Sequence, residues 1–363
     1  MSENKRVLLG MSGGVDSSVS AILLKKQGYD VTGVTMKLWE SDDEDVESGC
    51  CNLSSSNDAK RVCDYLEIPH YTINYKERFK DKVIDNFIEE YANQRTPNPC
   101  IKCNKYLKFD AMYKTAKELN IDYIATGHYA ITEYSNKYKR IVLKKSKNIK
   151  KDQSYVLYCI PKELIGKIIF PLGEFESKED VRTIAKENNC LRVANKPESE
   201  DICFIPNGDY KEFLERNSTL KPKEGKIVNL NNEVLGKHEG LYKYTIGQRR
   251  GLGISNSEPL FVVGFNKERN EVIVGEEDKL YKREVIISDV NLLAVDEINK
   301  PVRVRVKTRY TSREAMAVIM PVNCENNEQL KILFDDPQRA LTPGQSAVFY
   351  DEDGIVIGGG IIV

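Results

Sequence analysis

Three stretches of this chain hold residue types at spacings that could do chemistry. In Gly10-Met11-Ser12-Gly13-Gly14-Val15-Asp16-Ser17-Ser18, paired glycines allow a tight turn that exposes successive backbone N–H groups, an anion-binding nest. Ser12, Ser17 and Ser18 add hydroxyl donors. A helix starting there would aim its free N–H groups and positive dipole end at the same anion. Phosphate is the natural guest. Asp16 would repel phosphate directly, so its role is to hold Mg²⁺ against it. Neither G-x-x-x-x-G-K-[ST] nor G-x-G-x-x-G is present, which disfavours the two common nucleotide loops. The plainer reading is a glycine turn whose serines and aspartate only cap a helix.

The other two stretches hold cysteines. Thr96-Pro97-Asn98-Pro99-Cys100-Ile101-Lys102-Cys103-Asn104-Lys105 is broken by prolines, which predicts a stiff loop rather than a helix. Lys102 and Lys105 flank Cys103 and favour its thiolate. Glu200-Asp201-Ile202-Cys203-Phe204-Ile205-Pro206 lies a hundred residues further on, so only the fold could bring Cys203 to Cys103. The single C-x-x-C lacks the second pair of a zinc site. With Cys203 it makes three ligands, suited either to a cluster with one open iron or to a catalytic dithiol. Cys63, Cys159, Cys190 and Cys324 read as small core residues, and the adjacent Cys50 and Cys51 have at most a minor role. His128 follows Gly127 at the C-terminal end of a predicted parallel strand, the edge where open α/β sheets bind ligands. It is either a donor toward a nucleotide or base, or a satisfied surface histidine. His70 and His238 show no obvious partner.

The elements that must position these groups follow from periodicity. Val7–Leu9, Val31–Thr35 and Asp122–Thr126 read as strands. Helices are predicted from about Asp16 (face Val19, Ile22, Leu23, Lys26), over 54–66, over 76–91 and over 109–119. Strands alternating with helices imply a parallel sheet covered on both faces, and residues 1–205 read as one α/β domain. Residues 206–282 form a small mixed unit rich in glycine. From 283 to 363, six short strands fit a small antiparallel barrel or sandwich.

Composition narrows the classes. A chain of 363 residues with 54 Lys+Arg, 55 Asp+Glu and 40% apolar residues is folded and nearly neutral. The absence of a long apolar run or leader predicts a cytoplasmic protein with no membrane segment, its nine cysteines mostly thiols. No unmatched apolar helix face stands out, which predicts a monomer. Charge is nonetheless uneven. Asp42–Glu47 holds five carboxylates, Lys137–Lys151 eight cations and no acid, and Arg303–Arg313 five cations and no acid. Arg303, Arg305, Lys307 and Arg309 alternate, so one face of a strand would present a ladder of positive charge. A nucleic-acid backbone suits it; a solvated strand face with neighbouring acids is the plainer alternative.

Ser12–Ser17 resembles the loop of the adenine-nucleotide α-hydrolase-like (PP-loop) superfamily, whose members cleave ATP between its α and β phosphates. Taken with Thr96–Lys105, Ala125–Tyr129, Lys151–Tyr155, Asp201–Ile205, Gly247–Ile254, Lys307–Tyr310, Thr342–Tyr350 and Gly358–Gly360, the whole chain resembles the tRNA-specific 2-thiouridylases. The resemblance implies ATP-dependent replacement of the C2 oxygen of the wobble uridine by sulfur. It implies that Gly10, Met11, Ser12, Gly13, Gly14, Val15, Asp16 and Ser17 hold ATP, with Met36 and Gly127 lining the nucleotide site. It places Asn98, Pro99 and Cys100 at the target base, Cys103 as nucleophile and Cys203 as persulfide carrier, the two passing through a disulfide. Lys150, Lys151, Asp152, Gln153, Arg309 and Tyr310 would touch tRNA, with His128 and Gln345 nearby. A sulfur-donor protein, a cysteine desulfurase or a relay, would be the second partner.

Many members of that family carry an acidic residue where this chain has Cys100. The departure opens an alternative in which Cys100, Cys103 and Cys203 bind a [4Fe-4S] cluster whose open iron accepts sulfide. The other readings are a different adenylating enzyme of the same loop class, such as an amidotransferase partner that would not need Cys203, and an RNA-binding protein without catalysis.

Overall fold

β1 (Arg6–Gly10) sends Val7 and Leu9 into one hydrophobic cluster and Leu8 into another, so this strand is buried on both faces. In the computed structural model, residues 5–39, 53–196, 202–205, 208–322 and 328–363 are described. The acidic run 42–47, Cys50, Cys51, Glu200, Asp201, Pro206 and Cys324 lie outside them. After β1 come β2 (Asp30–Lys37), β3 (His70–Asn74) and β4 (Tyr123–Ala125). A hairpin of β5 (Ala130–Ser135) and β6 (Arg140–Lys145), unforeseen in the sequence, precedes β7 (Ile168–Ile169). The apolar centre of β6 is only Ile141–Leu143, masked by the basic run around it. The five-stranded sheet runs β3-β2-β1-β4-β7, all parallel. Its order reverses direction at β1, so the loops after β1 and β4 face each other across a switch point.

One face of the sheet is covered by the Val15–Lys26, Leu53–Tyr65 and Lys178–Glu187 helices through Val19, Ile22, Val62, Cys63, Val181 and Ala185. Lys26 does not share the buried face of its helix. Leu24 is fully buried instead, because the helix is flanked on more than one side.

The predicted helix over 76–91 is Lys76–Phe79, a π-helical Lys80–Ile84 and Asp85–Ala92. Phe79, Val83, Phe87 and Tyr91 are four apart, slightly more than an α-turn. The wider turn of i→i+5 bonding helps to keep such a series on one face. The prolines near Cys100 do not enforce a loop. Pro99 is the first residue of a helix, Pro99–Cys103, that continues through a π segment, Asn104–Ala111, into Met112–Glu118. Proline is well placed at a first helical position, where its missing N–H has no intrahelical partner to lose.

The middle unit is a four-stranded sheet, β10-β11-β8-β9, built from β8 (Gly225–Val228), β9 (Val234–His238), β10 (Phe261–Asn266) and β11 (Glu271–Gly275). Ahead of it stands the Tyr210–Asn217 helix. The last unit is a closed barrel, β12-β15-β14-β13-β16-β17. Its strands are β12 (Tyr281–Leu292), β13 (Val302–Lys307), β14 (Ala315–Pro321), β15 (Leu330–Arg339), β16 (Ser346–Tyr350) and β17 (Val356–Ile362). Val304 and Val306 point into the barrel core with Ile319, Ile332 and Phe349. Closure leaves no unpaired edge. Among the described residues no helix is long and apolar enough to cross a membrane.

Barrel and α/β unit share a core. Val348, Tyr350 and Val356 join Leu8, Phe109 and Tyr155 in one cluster. Tyr155 Oη donates to Ser346 O at 2.9 Å, and Asn291 Nδ2 donates to the carbonyls of Tyr158 and Ile160 at 2.6 and 2.8 Å. Gly359 makes room for this contact, since a Cβ there would lie 2.6 Å from Tyr158 Cδ2.

Candidate functional site

The nest forms where the sheet order reverses. Gly13 has φ +72°, and a Cβ on it would meet Ser55 O at 2.0 Å, so only glycine fits. Gly14 is the N-cap of the Val15–Lys26 helix, with no side chain capping it. Ser17 Oγ braces the turn by accepting from Ser12 N at 3.2 Å and donating to Gly14 O at 3.1 Å; Ser18 Oγ donates to the same carbonyl at 2.9 Å. The serines therefore shape the loop as well as line it, and Ser12 stays exposed. Gly10 ends β1, and buried Met11 ties the loop to β2 through Met11 N to Val34 O at 2.8 Å. Across the switch point, a Cβ on Gly127 would lie 2.9 Å from Asp16 C and Ser17 N. Val15 is buried, and Met36, half-buried, packs against the clusters on either side of it.

Asp16 sits in the first turn of this helix. Its Oδ1 accepts from Tyr129 Oη at 2.9 Å and from Lys178 Nζ at 2.5 Å. Neither partner was legible in the sequence; Lys178 is the first residue of the helix that Ser177 caps. Lys196 was missed as well: its Nζ reaches Gly13 O and Ser55 Oγ at 3.3 Å and buried Asp58 at 2.9 Å. One carboxylate beside a phosphate nest fits Mg²⁺, which takes one or two carboxylates and completes its shell with phosphate and water.

Cys103, buried, and Cys203, half-buried, belong to one apolar cluster with Met36, Leu107 and Phe204. Phe204 anchors its neighbour Cys203, with its ring centroid 5.6, 5.4 and 5.1 Å from those of Phe79, Phe87 and Phe213. Asn98 caps the Pro99–Cys103 helix by accepting from Cys100 N at 3.1 Å. Pro99 is buried and Cys100 exposed. Lys102 and Lys105 lean toward Asp289 of the barrel, 3.9 and 3.4 Å away. Among the described residues no group of three His, Cys, Asp or Glu side chains is arranged to hold a metal ion. Cys63, Cys159 and Cys190 are buried, as expected, and burial pushes the thiols of Cys63 and Cys159 up to about 12.

The barrel grips the cysteine helix at its start. Thr96 N donates to Pro343 O, and Gln345 Nε2 donates to Thr96 O, each at 2.8 Å. A Cβ on Gly344 would lie 2.8 Å from Thr96 N.

The histidines differ from expectation. His128 is buried, not at the surface, bonded to Thr126 Oγ1 at 2.7 Å and packed on Phe109 and Phe170. Burial, helped by Lys108, holds its pKa well below the usual 6.5. His70 and His238 do have partners, Thr35 Oγ1 at 2.8 Å and Asn270 O at 3.1 Å.

Two basic segments converge. Lys307 Nζ lies 5.9 Å from the ring centroid of Tyr155 and 5.3 Å from that of Tyr310, and the two rings are 6.2 Å apart. The Ser154–Leu157 helix, which follows the turn 150–153, therefore meets Tyr310 through Tyr155. Lys150 is exposed and Lys151 half-buried, whereas the Asp152 carboxylate turns inward to Ser146 N at 3.0 Å and Ser154 Oγ at 2.7 Å. Gln153 accepts from Tyr129 N at 2.9 Å, so this turn connects through Tyr129 to Asp16. The arginine ladder is not a uniform cationic face. Arg303 pairs with Asp335 at 2.7 Å, and Arg309, beyond the end of β13, donates to Ala340 O at 3.0 Å. Much of the 137–151 run is likewise neutralised, with Lys137 bonded to Asp351, Arg140 to Asp296, Lys144 to Glu133 and Lys145 to Glu314. Carboxylates distant in sequence supply the balance.

Comparison with known proteins covers the whole chain. Family models described as tRNA methyl transferase HUP domain, tRNA methyl transferase PRC-barrel domain and aminomethyltransferase beta-barrel domain match residues 5–207, 211–276 and 282–362. Proteins named tRNA-specific 2-thiouridylase from Clostridioides difficile and Acetivibrio thermocellus are 49% and 48% identical. The first match covers 99% of this chain and 98% of that protein, the second 99% of each. A relative of the same name from Clostridium kluyveri is 49% identical over 99% of each chain. A solved complex of a 4-thiouridine synthetase with RNA and bound ATP aligns with 58% of this chain and 50% of its own, at 17% identity and a TM-score of 0.38.

Proposed function

The chain belongs to the tRNA-specific 2-thiouridylase family, and from that premise we propose that it uses ATP to exchange the C2 oxygen of the tRNA wobble uridine for sulfur carried on Cys203. The observation that supports this reading is that Cys103 and Cys203 belong to the same apolar cluster, with Met36, a residue of the strand beside the phosphate nest. The uridine O2 attacks the α-phosphorus of ATP, and the bond to the β-phosphate oxygen breaks to release pyrophosphate. The nest N–H groups and Ser12 receive the phosphates. Asp16 would hold Mg²⁺, whose charge offsets that of the phosphate chain. The terminal sulfur of a Cys203 persulfide attacks C2, and AMP leaves with the original oxygen. Cys103 thiolate then attacks Cys203 Sγ, and the cleaved S–S electrons stay on the sulfur now at C2. A Cys103–Cys203 disulfide remains, which a two-electron dithiol reductant reopens. The apolar cluster limits water, which would otherwise return uridine.

In this reading residues 1–205 do the chemistry, and the units 206–282 and 283–363 hold tRNA. Lys150, Lys151, Arg309 and Tyr310 would contact the tRNA, and Gln345, bonded to Thr96 O, would set the cysteine helix. The enzyme works as a monomer in the cytoplasm with a separate sulfur-donor protein. Unmodified tRNA, MgATP, a persulfide donor and a dithiol are the test mixture, read by nucleoside mass. Cys103→Ser and Cys203→Ser each abolish 2-thiouridine while MgATP binding persists. Wild-type product from Cys203→Ser refutes the persulfide route and favours an enzyme that does not use that thiol.

A further inference from the structure

Arginines on this chain are mostly neutralised by carboxylates, as Arg78 is by Asp110, Arg95 by Glu90, Arg140 by Asp296 and Arg339 by Glu277. Arg249 and Arg250 are not. Both are exposed, and among the described residues neither guanidinium has a hydrogen bond or ion pair. The loop that carries them is nonetheless firmly braced. Gln248 Oε1 accepts from Thr245 N at 3.1 Å, and its Nε2 donates to Arg250 O at 2.9 Å. Gly247 N donates to Val262 O at 2.8 Å and Val262 N to Gln248 O at 2.9 Å, which ties the loop to β10. Leu252, just beyond the pair, is buried in one cluster with Val262 and Val272. Adjacent like charges on a fixed loop, with no carboxylate to offset them, favour an anion from outside.

The same loop lies against the barrel. A Cβ on Gly247 would lie 3.0 Å from Ala340 Cβ, and Ile246 packs on the cluster of Phe261, Leu280 and Ala340. Arg309 Nη2 donates to the carbonyl of that same Ala340 at 3.0 Å. The arginine loop and the turn at Arg309 and Tyr310 therefore meet at Ala340. Arg305 and Arg313, also exposed and without a partner among the described residues, stand four residues to either side of Arg309. Guanidinium forks hold phosphate oxygens two at a time, and several of them along one junction match the repeating charge of a nucleic-acid backbone.

Resting on the tRNA reading above, we propose that Arg249 and Arg250 are a backbone clamp: their guanidiniums hold phosphates of a tRNA strand that crosses from the middle unit to the barrel at Ala340. Phosphate contacts carry no sequence information, so the clamp sets affinity and orientation and leaves the choice of base to the cysteine site.

The test is binding of unmodified tRNA to the full-length protein, by fluorescence anisotropy at several salt concentrations. Arg249→Gln with Arg250→Gln should weaken binding about 10-fold near 0.1 M salt and flatten the salt dependence by about one phosphate per arginine, equally for tRNAs with and without a wobble uridine. In thiolation assays the loss should fall on KM for tRNA rather than on kcat. Arg249→Lys with Arg250→Lys keeps both charges and should keep the salt dependence, with affinity within about threefold of wild type. Lys237→Gln removes an equally exposed cation of the same unit, one paired with Glu224, and should leave the salt dependence unchanged. Wild-type affinity and salt dependence in the glutamine pair overturn the clamp, while tRNA binding and thiolation by the wild type keep the tRNA reading intact. A glutamine pair that binds tRNA normally, and loses thiolation only when sulfur comes from a donor protein rather than a small persulfide, overturns it in favour of a donor-docking surface. Equal loss in the glutamine and lysine pairs, or the same flattening in Lys237→Gln, overturns it too. A wild-type protein that neither binds nor thiolates tRNA overturns both.

Discussion

Gly127→Ala should damage the nucleotide site through a single methyl group. Gly127 does not adopt the left-handed conformation, so backbone strain does not enter and space alone decides. The added Cβ would lie 2.9 Å from Asp16 C, 2.9 Å from Ser17 N and 3.0 Å from Asp16 Cβ. Ordinary carbon contacts are roughly 3.5–4.0 Å, so the first turn of the nucleotide helix must retreat by about 0.5–1 Å. Overpacking of this kind costs about 1–3 kcal/mol. The displaced atoms include Asp16 and the N–H groups proposed above to receive phosphate, where a shift of about 1 Å costs on the order of 10²-fold in rate. The assay is tRNA-dependent pyrophosphate release, with MgATP calorimetry and denaturant unfolding on the same preparations. Gly264→Ala in β10 is the control, because its Cβ meets nothing within 4 Å. It should leave stability within about 0.5 kcal/mol and turnover unchanged. Wild-type ATP affinity and turnover in Gly127→Ala would refute the claim that this close approach builds the site.

Two further outcomes concern the cysteine helix and acid stability. Asn98→Ala removes the cap on Cys100 N, should cost about 1 kcal/mol and should lower thiolation with MgATP affinity unchanged; equal loss of both would argue against a local role. His70, His128 and His238 are all held below the usual value of 6.5, in each case chiefly by burial. Since the folded state prefers the neutral ring, the stability they contribute is complete above about pH 6.5 and is lost as pH falls toward the lowered values. Unfolding free energy should fall below pH 6.5 by up to about 1.4 kcal/mol per pH unit for each histidine, and less steeply in His128→Gln. Denaturant unfolding between pH 7.5 and 5.0 measures it, and equal slopes for variant and wild type would count against a neutral His128.

The phosphate nest and the strands around it were legible because their information is local. Gly13 and Gly14 permit one turn, three apolar residues name a doubly buried strand, and six short alternating runs suffice for a small barrel. The Pro99 helix start was hidden because proline has opposite meanings inside a helix and at its first position, and only the Asn98 cap decides between them. Charge stayed open between two readings for a different reason. Arg303 and Lys137 look like parts of unbroken basic runs until Asp335 and Asp351 arrive from other strands. By itself the sequence marked the glycine-serine loop and the two cysteine motifs as candidates for binding phosphate and carrying sulfur. Only tertiary structure decided that Cys203 shares an apolar cluster with Cys103, that Lys178 pairs with Asp16 and that the barrel holds Thr96, since each joins segments that chain entropy keeps apart until the cores form.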